Sequence, residues 1–372
     1  MNQNPAPKGD IPLIQIPRRT WIVWFTCLGG ILLLVCLKPY LDPKSEVVIY
    51  AAQDQVYAEP ILREFEKETG IKVKAVYDSE AVKTVGLANR LLAERSHPQC
   101  DVFWGNEEMR TRQLAAQNVF RETNGWAAFG HRSRRIVINV NFVTLAHPEN
   151  PSPGLRPPSP RPTGRGQGEG SAALITAPTS LLELTNEIWR GKVALAFPQF
   201  GTTATHFHAL KQLWGEAEWL AWCRALAANK PFIVDGNSVV VKQVERGEAW
   251  IGLTDSDDIA AGQREGFHIA ALPLTLSLSP SDGERVSEGR MRGEMLLIPN
   301  TVAVIRNAPH PANAQMLFEY LQRREVAEKL VAAHALEDAT NRTDATGIKP
   351  DWNGLLRDLE TTTKQLNEIF LR

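Results

Sequence analysis

Short apolar runs alternate with amphipathic segments between residues 46 and 104, and this alternation is the strongest constraint on the fold. The pattern predicts strands at 46–52, 71–77 and 100–104, with helices at 57–69 and 82–95 between them. Gly70 follows the first helix, where a glycine C-cap is expected. This β-α-β-α-β order predicts a parallel sheet whose strand ends meet at one edge.

A second α/β unit follows later in the chain. It is predicted from strands at 192–197 and 301–305 and from helices at 203–214, 216–228, 238–246, 312–320 and 325–333. With 372 residues, the chain is long enough for two globular lobes.

Two stretches interrupt the alternation, at residues 147–178 and 273–293. Both are dominated by Pro, Gly, Ser and Arg, a composition that does not support a packed core. We interpret them as disordered inserts, and the alternative is two ordinary long surface loops. In either case they do not contribute to the expected site.

The N-terminus carries a targeting signal. Residues 21–37 are uncharged, and they lie between Arg18-Arg19 and Lys38. This arrangement favours a transmembrane helix with its basic flank in the cytoplasm and the body of the protein outside. A cleaved signal peptide, which would release the protein into the periplasm, remains the alternative.

Composition and motifs exclude several classes of function. The formal net charge is −1 and no basic stripe is interleaved with aromatic residues, which disfavours nucleic-acid binding. The four cysteines show no disulfide framework and no zinc-binding spacing. No nucleophile elbow, His-containing metal motif or phosphate loop is present, so an enzyme is disfavoured.

Acidic residues crowd the end of one predicted strand. The apolar run from Trp250 stops at Asp255, Asp257 and Asp258, and helix-compatible residues follow. Ligands of open α/β sheets lie beyond the carboxyl ends of strands, so a cation-binding cluster is expected here. The alternative is one helix cap with the other carboxylates solvated.

Several ordered sequence blocks resemble the periplasmic solute-binding proteins of ABC importers, in particular the transferrin-like ferric-iron-binding group. The similarity runs from about residue 47 to residue 335 once the two inserts are removed. It rests on blocks at residues 65–73, 100–104, 130–137, 236–239, 247–253 and 298–302.

The resemblance implies an α/β, two-lobed periplasmic-binding-protein-like fold of class II, in which each lobe is a mixed sheet flanked by helices. Residues 1–45 would form the cytoplasmic tail and the anchor or signal segment. Lobe 1 would comprise 46–133 and 294–335, and lobe 2 would comprise 134–272 and 336–372. The lobes would be joined by crossover strands near residues 134–140 and 273–301, with the insert 273–293 beside the hinge. They would close on a ligand between them.

The resemblance also implies a set of metal ligands, with large departures in this sequence. The family's first histidine corresponds to Asp54, its glutamate to Asn106 with Glu107 adjacent, and its tyrosine pair to Asp257 and Asp258. Carboxylates are hard oxygen donors that suit Fe(III), Mn(II), Ca(II) and Mg(II) alike. A metal ion is therefore expected as a bound ligand rather than a cofactor, without specificity for iron.

The same group commonly binds an anion beside the metal. Thr202 and Thr203 at a helix start, with Asn237 and Ser238 nearby, would contact it. Asp255 replaces a neutral residue of the family, and its carboxylate is expected to repel an anion. Two interpretations stay open: the anion is omitted, or the threonines only cap a helix.

Four further residues have a functional and a structural interpretation. Glu80 is expected either to reach the cleft or to lie at a helix start, where the helix dipole stabilises its carboxylate. Trp104 is expected either to line the cleft or to pack in a core. Arg132 and Arg134 either clamp an anionic ligand or serve surface or lobe-pairing roles.

Together these features predict an extracytoplasmic receptor, a monomer, that captures a metal ion by hinge closure and delivers it to an ABC permease in the cytoplasmic membrane. The family makes ferric iron the first candidate. One alternative keeps the fold but binds an organic cation such as a polyamine or a thiamine-like molecule. Another is a degenerate receptor that no longer transports.

Overall fold

The computed structural model describes residues 46–77, 83–144, 174–272, 294–340 and 347–371. The first five elements follow the predicted alternation closely. They are β1 (Glu46–Ala51), α1 (Gln55–Thr69), β2 (Lys72–Tyr77), α2 (Lys83–Ala93) and β3 (Val102–Gly105).

The rest of the chain continues with strands and helices in turn. The elements are α3 (Glu108–Ala116), β4 (Trp126–Asn139), β5 (Val143–Thr144), β6 (Ile175–Thr176), β7 (Val193–Ala196), α4 (Gly201–Trp214), α5 (Glu216–Ala228), β8 (Phe232–Val234), α6 (Asn237–Glu245), β9 (Ile251–Asp255), α7 (Ser256–Arg264), β10 (Ile269–Leu272), β11 (Leu297–Val304), α8 (Pro311–Leu321), α9 (Arg324–Ala332) and α10 (Trp352–Phe370). Two short 3-10 helices, Leu181–Thr185 and Glu187–Trp189, precede β7.

One mixed sheet runs through the molecule in the order β2-β1-β3-β11-β4-β9-β7-β8, and β10 pairs with β4. The long strand β4 pairs with β11 up to Ser133 and with β9 from Arg134 onwards. It therefore passes from one half of the sheet to the other, and β11 passes between the two halves as well.

Each half of the sheet has its own hydrophobic core, which defines two lobes. Lobe 1 surrounds β2, β1 and β3, with α1 contributing Ile61, Leu62 and Phe65 from one face. Lobe 2 surrounds β9, β7 and β8. Ile298 packs in the second core and Val302 in the first, so the change of lobe falls inside β11 rather than at residue 294.

The C-terminal helix α10 packs against α3 of lobe 1 and against α4 and α5 of lobe 2. Met109, Ala204 and Leu359 form a small buried cluster where the three elements α3, α4 and α10 meet. The sequence pattern did not single out this helix, although it contacts both lobes.

Several predictions lie outside the described residues. They are the uncharged segment 21–37, Glu80, the insert 273–293, and the insert 147–178 up to residue 173. The described end of that last insert contains β6, which pairs parallel with β5, so the disorder predicted for residues 175 and 176 is wrong. Among the helices that the structure describes, none combines the length and the apolar character needed to cross a bilayer.

Candidate functional site

Three carboxylates gather where β9 meets α7. Asp255 ends the strand, and Asp257 and Asp258 lie in the first turn of the helix. One oxygen from each of them can be chosen so that all lie within 4.8 Å of one another, and Asp255 and Asp257 are buried. A helix N-terminus favours negative charge, but three crowded carboxylates need further compensation.

Two arginines of the crossover strand β4 supply that compensation. Arg134 Nη1 lies 2.7 Å from Asp255 Oδ1, and Arg132 Nε lies 3.3 Å from both Asp255 Oδ2 and Asp257 Oδ1. Their side chains are 0% and 3% exposed, so the surface interpretation of Arg132 and Arg134 is wrong. Because side chains alternate along a strand, residues 132 and 134 face the same side and reach the same acidic cluster.

The pKa values follow this pairing. Burial raises the pKa of Asp255, but Arg134 and Arg132 outweigh that effect and hold it below its usual value. Burial lowers the pKa of Arg132, and the charges of Asp257, Asp255, Asp258 and Asp54 raise it overall. Asp255 and Arg132 are therefore both ionised at neutral pH.

The carboxylate of Asp255 is held by donors from three separate elements. Oδ1 accepts from Arg134, while Oδ2 accepts from Thr202 Oγ1 at 2.7 Å, Asn237 Nδ2 at 3.1 Å and Arg132 Nε at 3.3 Å. A carboxylate offers about four lone-pair sites, and three of the four donors fall on Oδ2, so Asp255 is a weaker candidate for a metal ligand than Asp257 and Asp258. Asp255 is the counter-ion of the site.

The four residues expected to contact an anion lie beside this carboxylate. Thr202 and Asn237 donate to Asp255 itself, and Thr203 Oγ1 donates to Asn237 Oδ1 at 3.3 Å. Ser238 lies next to Asn237 in the first turn of α6 and is partly buried. The sequence predicted that the carboxylate of Asp255 repels an anion. That prediction left out the positive charge of Arg134, because the sequence pattern did not reveal that the two residues pair.

Lobe 1 faces the acidic cluster with the end of β1 and the start of α1. Asp54 precedes α1, and its charge contributes to the raised pKa of Arg132. Arg132 also donates to Asn300 of β11 at 3.3 Å, and Asn300 donates to Gln53 at 2.9 Å. A hydrogen-bonded path thus leads from the acidic cluster to the residue beside Asp54.

A second contact between the lobes involves two residues that the sequence did not single out. Arg264, at the end of α7, donates to the Tyr57 hydroxyl at 3.0 Å and to the Ala333 carbonyl at 2.8 Å. Burial raises the pKa of Tyr57, Arg264 lowers it, and the charges of Asp257 and Asp258 raise it further. Tyr57 therefore lies within the electrostatic reach of the acidic cluster from the opposite lobe.

Glu107 and its neighbour Asn106 are placed differently from the acidic cluster. Glu107 accepts hydrogen bonds from the amides of Met109 and Arg110 at 2.7 and 2.9 Å, which makes it the N-cap of α3. It also accepts from Thr205 of α4 at 3.0 Å, across the lobes. Asn106 is buried beside it.

Glu107 is therefore used as a helix cap and a lobe contact, and it is not part of the grouping of Asp255, Asp257 and Asp258. Burial raises the pKa of Glu107, and Arg110 and the hydrogen bonds lower it. A carboxylate that is already bound to two backbone amides is a poor candidate for a metal ligand.

Trp104 lies in the core of lobe 1 rather than on an open surface. Its side chain is fully buried and packs against Phe129, with ring centroids 6.0 Å apart. His206 and His208 of α4 are buried as well, and burial lowers the pKa of each to about 3. Of the two interpretations of Trp104, packing in a core describes its position.

Comparisons with known proteins give a consistent result. A sequence model of the family described as "Bacterial extracellular solute-binding protein" matches residues 47–334. The "Major ferric iron-binding protein" of Neisseria gonorrhoeae is 24% identical over 329 residues, which is 83% of this chain and 86% of that protein. The "Fe(3+)-binding periplasmic protein" of Serratia marcescens is 29% identical over 222 residues, 56% of each chain.

The match to the "Major ferric iron-binding protein" of Neisseria meningitidis, at 24% identity, covers 60% of this chain and 62% of that relative. Solved structures show the fold. Iron-bound HitA from Pseudomonas aeruginosa aligns with a TM-score of 0.63 and 16% identity over 87% of this chain and 99% of its own. AfuA from Actinobacillus pleuropneumoniae, with bound fructose-6-phosphate, aligns with a TM-score of 0.66 and 15% identity over 88% of this chain and 98% of its own.

Proposed function

Because the chain belongs to the bacterial extracellular solute-binding protein family, we propose that it is the receptor of an ABC importer and binds a metal ion between its lobes. The observation that carries this proposal is the charge at the cleft. Asp54, Asp255, Asp257 and Asp258 are opposed by two guanidiniums, which leaves a formal excess of two negative charges. Such an excess favours a cation that binds oxygen.

We assign the metal-binding oxygens to residues on both sides of the cleft. Asp257 and Asp258 would provide them from lobe 2, and Asp54 from lobe 1, with Asn106 as a further neutral oxygen donor. Asp255 is held by Arg132, Arg134, Thr202 and Asn237, and Glu107 caps α3. This choice places the ligands at strand ends and helix starts of both lobes, where class II receptors close.

Ferric iron is the metal ion that we propose first. Carboxylates are hard anionic donors, and Fe(III) is a hard cation. The relatives named as ferric iron-binding proteins support the same choice. Without a pair of adjacent tyrosines after β9, the chain would bind iron through carboxylates, and a divalent cation is the competing cargo.

Binding would be coupled to closure of the lobes. A metal ion bound by Asp54 on one side and Asp257 and Asp258 on the other stabilises the closed form only, which shifts the population toward it. The contacts Arg264 to Tyr57 and Thr205 to Glu107 join the lobes in this arrangement. The closed monomer would then deliver its ion to a permease, tethered by residues 21–37 or free in the periplasm.

A ligand screen on the purified protein tests this function. Metal-free protein is heated with Fe(III)-citrate, Mn(II), Ca(II), Mg(II), spermidine and thiamine, and bound metal is counted by inductively coupled plasma analysis. Fe(III) is expected to raise Tm saturably with one ion per chain, because a ligand of the native state alone stabilises it. Stabilisation by an amine and by no metal would contradict the proposal.

A further inference from the structure

The surroundings of Asp255 have the composition of an anion-binding site. Arg134 from β4, Thr202 from α4 and Asn237 from α6 all donate to its carboxylate, and Arg132 donates from the same strand as Arg134. These side chains lie far apart in the sequence and converge on one group that is 2% exposed. A charged guanidinium with hydroxyl and amide donors is a set that recognises any small oxyanion.

The two helices that begin here strengthen this character. The 14-residue helix α4 begins at Gly201 and the 9-residue helix α6 begins at Asn237, and neither has a side-chain hydrogen bond from its N-cap residue. Their first amides and the positive ends of their dipoles favour negative charge.

Arg134 provides a second and independent observation. Its side chain is completely buried, and its Nε and Nη2 atoms have no hydrogen-bond partner. Buried donors of this kind are rare and costly when unpaired. Arg134 thus retains buried donors that Asp255 does not satisfy, as expected of a site that also fits an anion with more oxygens.

We propose that Asp255 fills an oxyanion-binding cradle, formed by Arg134, Thr202 and Asn237, as an anion that the chain itself supplies. The receptor therefore binds its cargo without a soluble co-anion such as phosphate or bicarbonate. The carboxylate neutralises Arg134 where a free anion would otherwise do so. The crowding of Asp255 with Asp257 and Asp258 repels an external anion from the wild-type site.

The statement about cargo rests on the proposed function, whereas the statement about the cradle does not. The cradle can be tested without any metal, by removing the carboxylate and supplying anions from solution. In the variant Asp255→Ala, Arg134 loses its counter-ion and space for an anion is created. Acetate, bicarbonate and phosphate are then expected to bind where the carboxylate was.

The experiment compares thermal shifts and calorimetric titrations of the full chain, purified in detergent and free of metal. Asp255→Ala is expected to melt at lower temperature than wild type and to regain stability saturably with acetate, bicarbonate or phosphate. Its anion affinity is expected to exceed that of wild type by at least about tenfold. The double variant Asp255→Ala/Arg134→Met is expected to lose this response.

A matched control removes an exposed carboxylate that also pairs with an arginine. Glu122 lies 2.9 Å from Arg306 and is 80% exposed, so Glu122→Ala is expected to show no anion response. The cradle is refuted if no anion stabilises Asp255→Ala, or if anions stabilise wild type equally well. Should Asp255→Ala fail to fold, the same titration of Asp255→Ser, which also removes the charge and shortens the side chain, decides.

A separate measurement on wild type tests the link to cargo. Metal affinity is expected to agree within about twofold between buffers with and without phosphate or bicarbonate, a difference well below the tenfold step of 1.4 kcal/mol. An absolute requirement for an anion would overturn the proposal. If wild type binds no metal while anions rescue Asp255→Ala, the proposed function fails and the cradle remains.

Discussion

The two lobes offer carboxylates to the same cleft at equivalent places, after a strand and before a helix, yet they use them differently. In lobe 2, Asp255 is held by neighbouring donors, and Asp257 and Asp258 follow in the first turn of α7. In lobe 1, Glu107 is bound to the amides of α3. A carboxylate at a strand end is therefore a candidate ligand only if the following helix does not bind it.

The comparison also indicates which lobe is organised before the cargo arrives. The acidic cluster of lobe 2 is fixed by Arg132, Arg134, Thr202 and Asn237, all from that lobe or the crossover strand. Lobe 1 contributes one carboxylate, Asp54 at the start of α1, against the two of Asp257 and Asp258 in lobe 2. We expect the ion to bind lobe 2 first and to recruit Asp54 on closure.

The largest effect is expected from removing Arg134, the buried arginine that pairs with Asp255. Arg134→Met leaves Asp255 buried and undercompensated, and loss of one partner of such a pair costs about 3–5 kcal/mol. Arg324→Met removes an exposed partner of Glu328 and is expected to leave the free energy of unfolding nearly unchanged. Urea unfolding measures the free energy of unfolding of both variants. Equal losses would mean that the buried pair of lobe 2 contributes no more to stability than an exposed ion pair.

Acid is expected to destabilise lobe 2 through α4. The folded pKa values of His206 and His208 are lowered to about 3, below the unfolded value of about 6.5, so the unfolded state binds more protons between these values. The stability that depends on keeping these two histidines neutral is thus fully present above pH 6.5 and is lost as pH falls toward 3. The upper limit is about 1.4 kcal/mol per pH unit for each histidine.

Unfolding free energies measured from pH 7 to pH 4 check this dependence. The double variant His206→Gln/His208→Gln is expected to have a flatter profile in this range, although it is less stable at pH 7. A profile as steep as that of wild type would mean that other groups titrate on unfolding.

Ligand affinity is expected to separate the carboxylates of the two lobes. Asp257→Asn and Asp258→Asn each remove an anionic oxygen of the proposed site and are expected to weaken Fe(III) binding by at least about tenfold. Glu107→Gln weakens the cap of α3 and is expected to cost about 1 kcal/mol of stability with little loss of affinity. Competition against citrate measures the affinities, and a larger effect for Glu107 would reverse the assignment.

The smallest effect is expected at the contact between the lobes outside the acidic cluster. Arg264→Gln loses the hydrogen bonds to Tyr57 and Ala333. Together these bonds are expected to stabilise the closed form by about 1 kcal/mol. Metal release is expected to be a few-fold faster, with the association rate unchanged. Arg246→Gln, at an exposed arginine of the same lobe, is the control, and stopped-flow kinetics distinguish the two.

The sequence predicted the fold better than the site, for a physical reason. Hydrophobic periodicity is local, so β1, α1, β2 and most later helices were found within a few residues of their ends. The local pattern missed the strand β4 and the helix α10, because β4 carries several charged residues and α10 shows its apolar face only against α3, α4 and α5. Only the resemblance placed a crossover strand near residues 134–140.

The site depends on pairing between distant residues, which no local pattern contains. Asp255 at the end of β9 and Asp257 and Asp258 in α7 lie close together, and their binding of a metal ion stays a prediction. The pairing of Arg134 with Asp255 follows from the antiparallel register of β4 and β9, which places these residues opposite each other. The spacing of Arg132 and Arg134 by two residues was the available signal, since it puts both on one face of a strand.

The most direct test of the account is the position of the bound ion. A crystal of the iron-loaded protein, measured at the iron absorption edge, is predicted to show one anomalous peak between Asp54 of lobe 1 and Asp257 and Asp258 of lobe 2. Asp255 is predicted to remain on Arg134 and Thr202 rather than on the metal. A peak bound by one lobe alone, or a peak ligated by Asp255 or Glu107, would contradict the account.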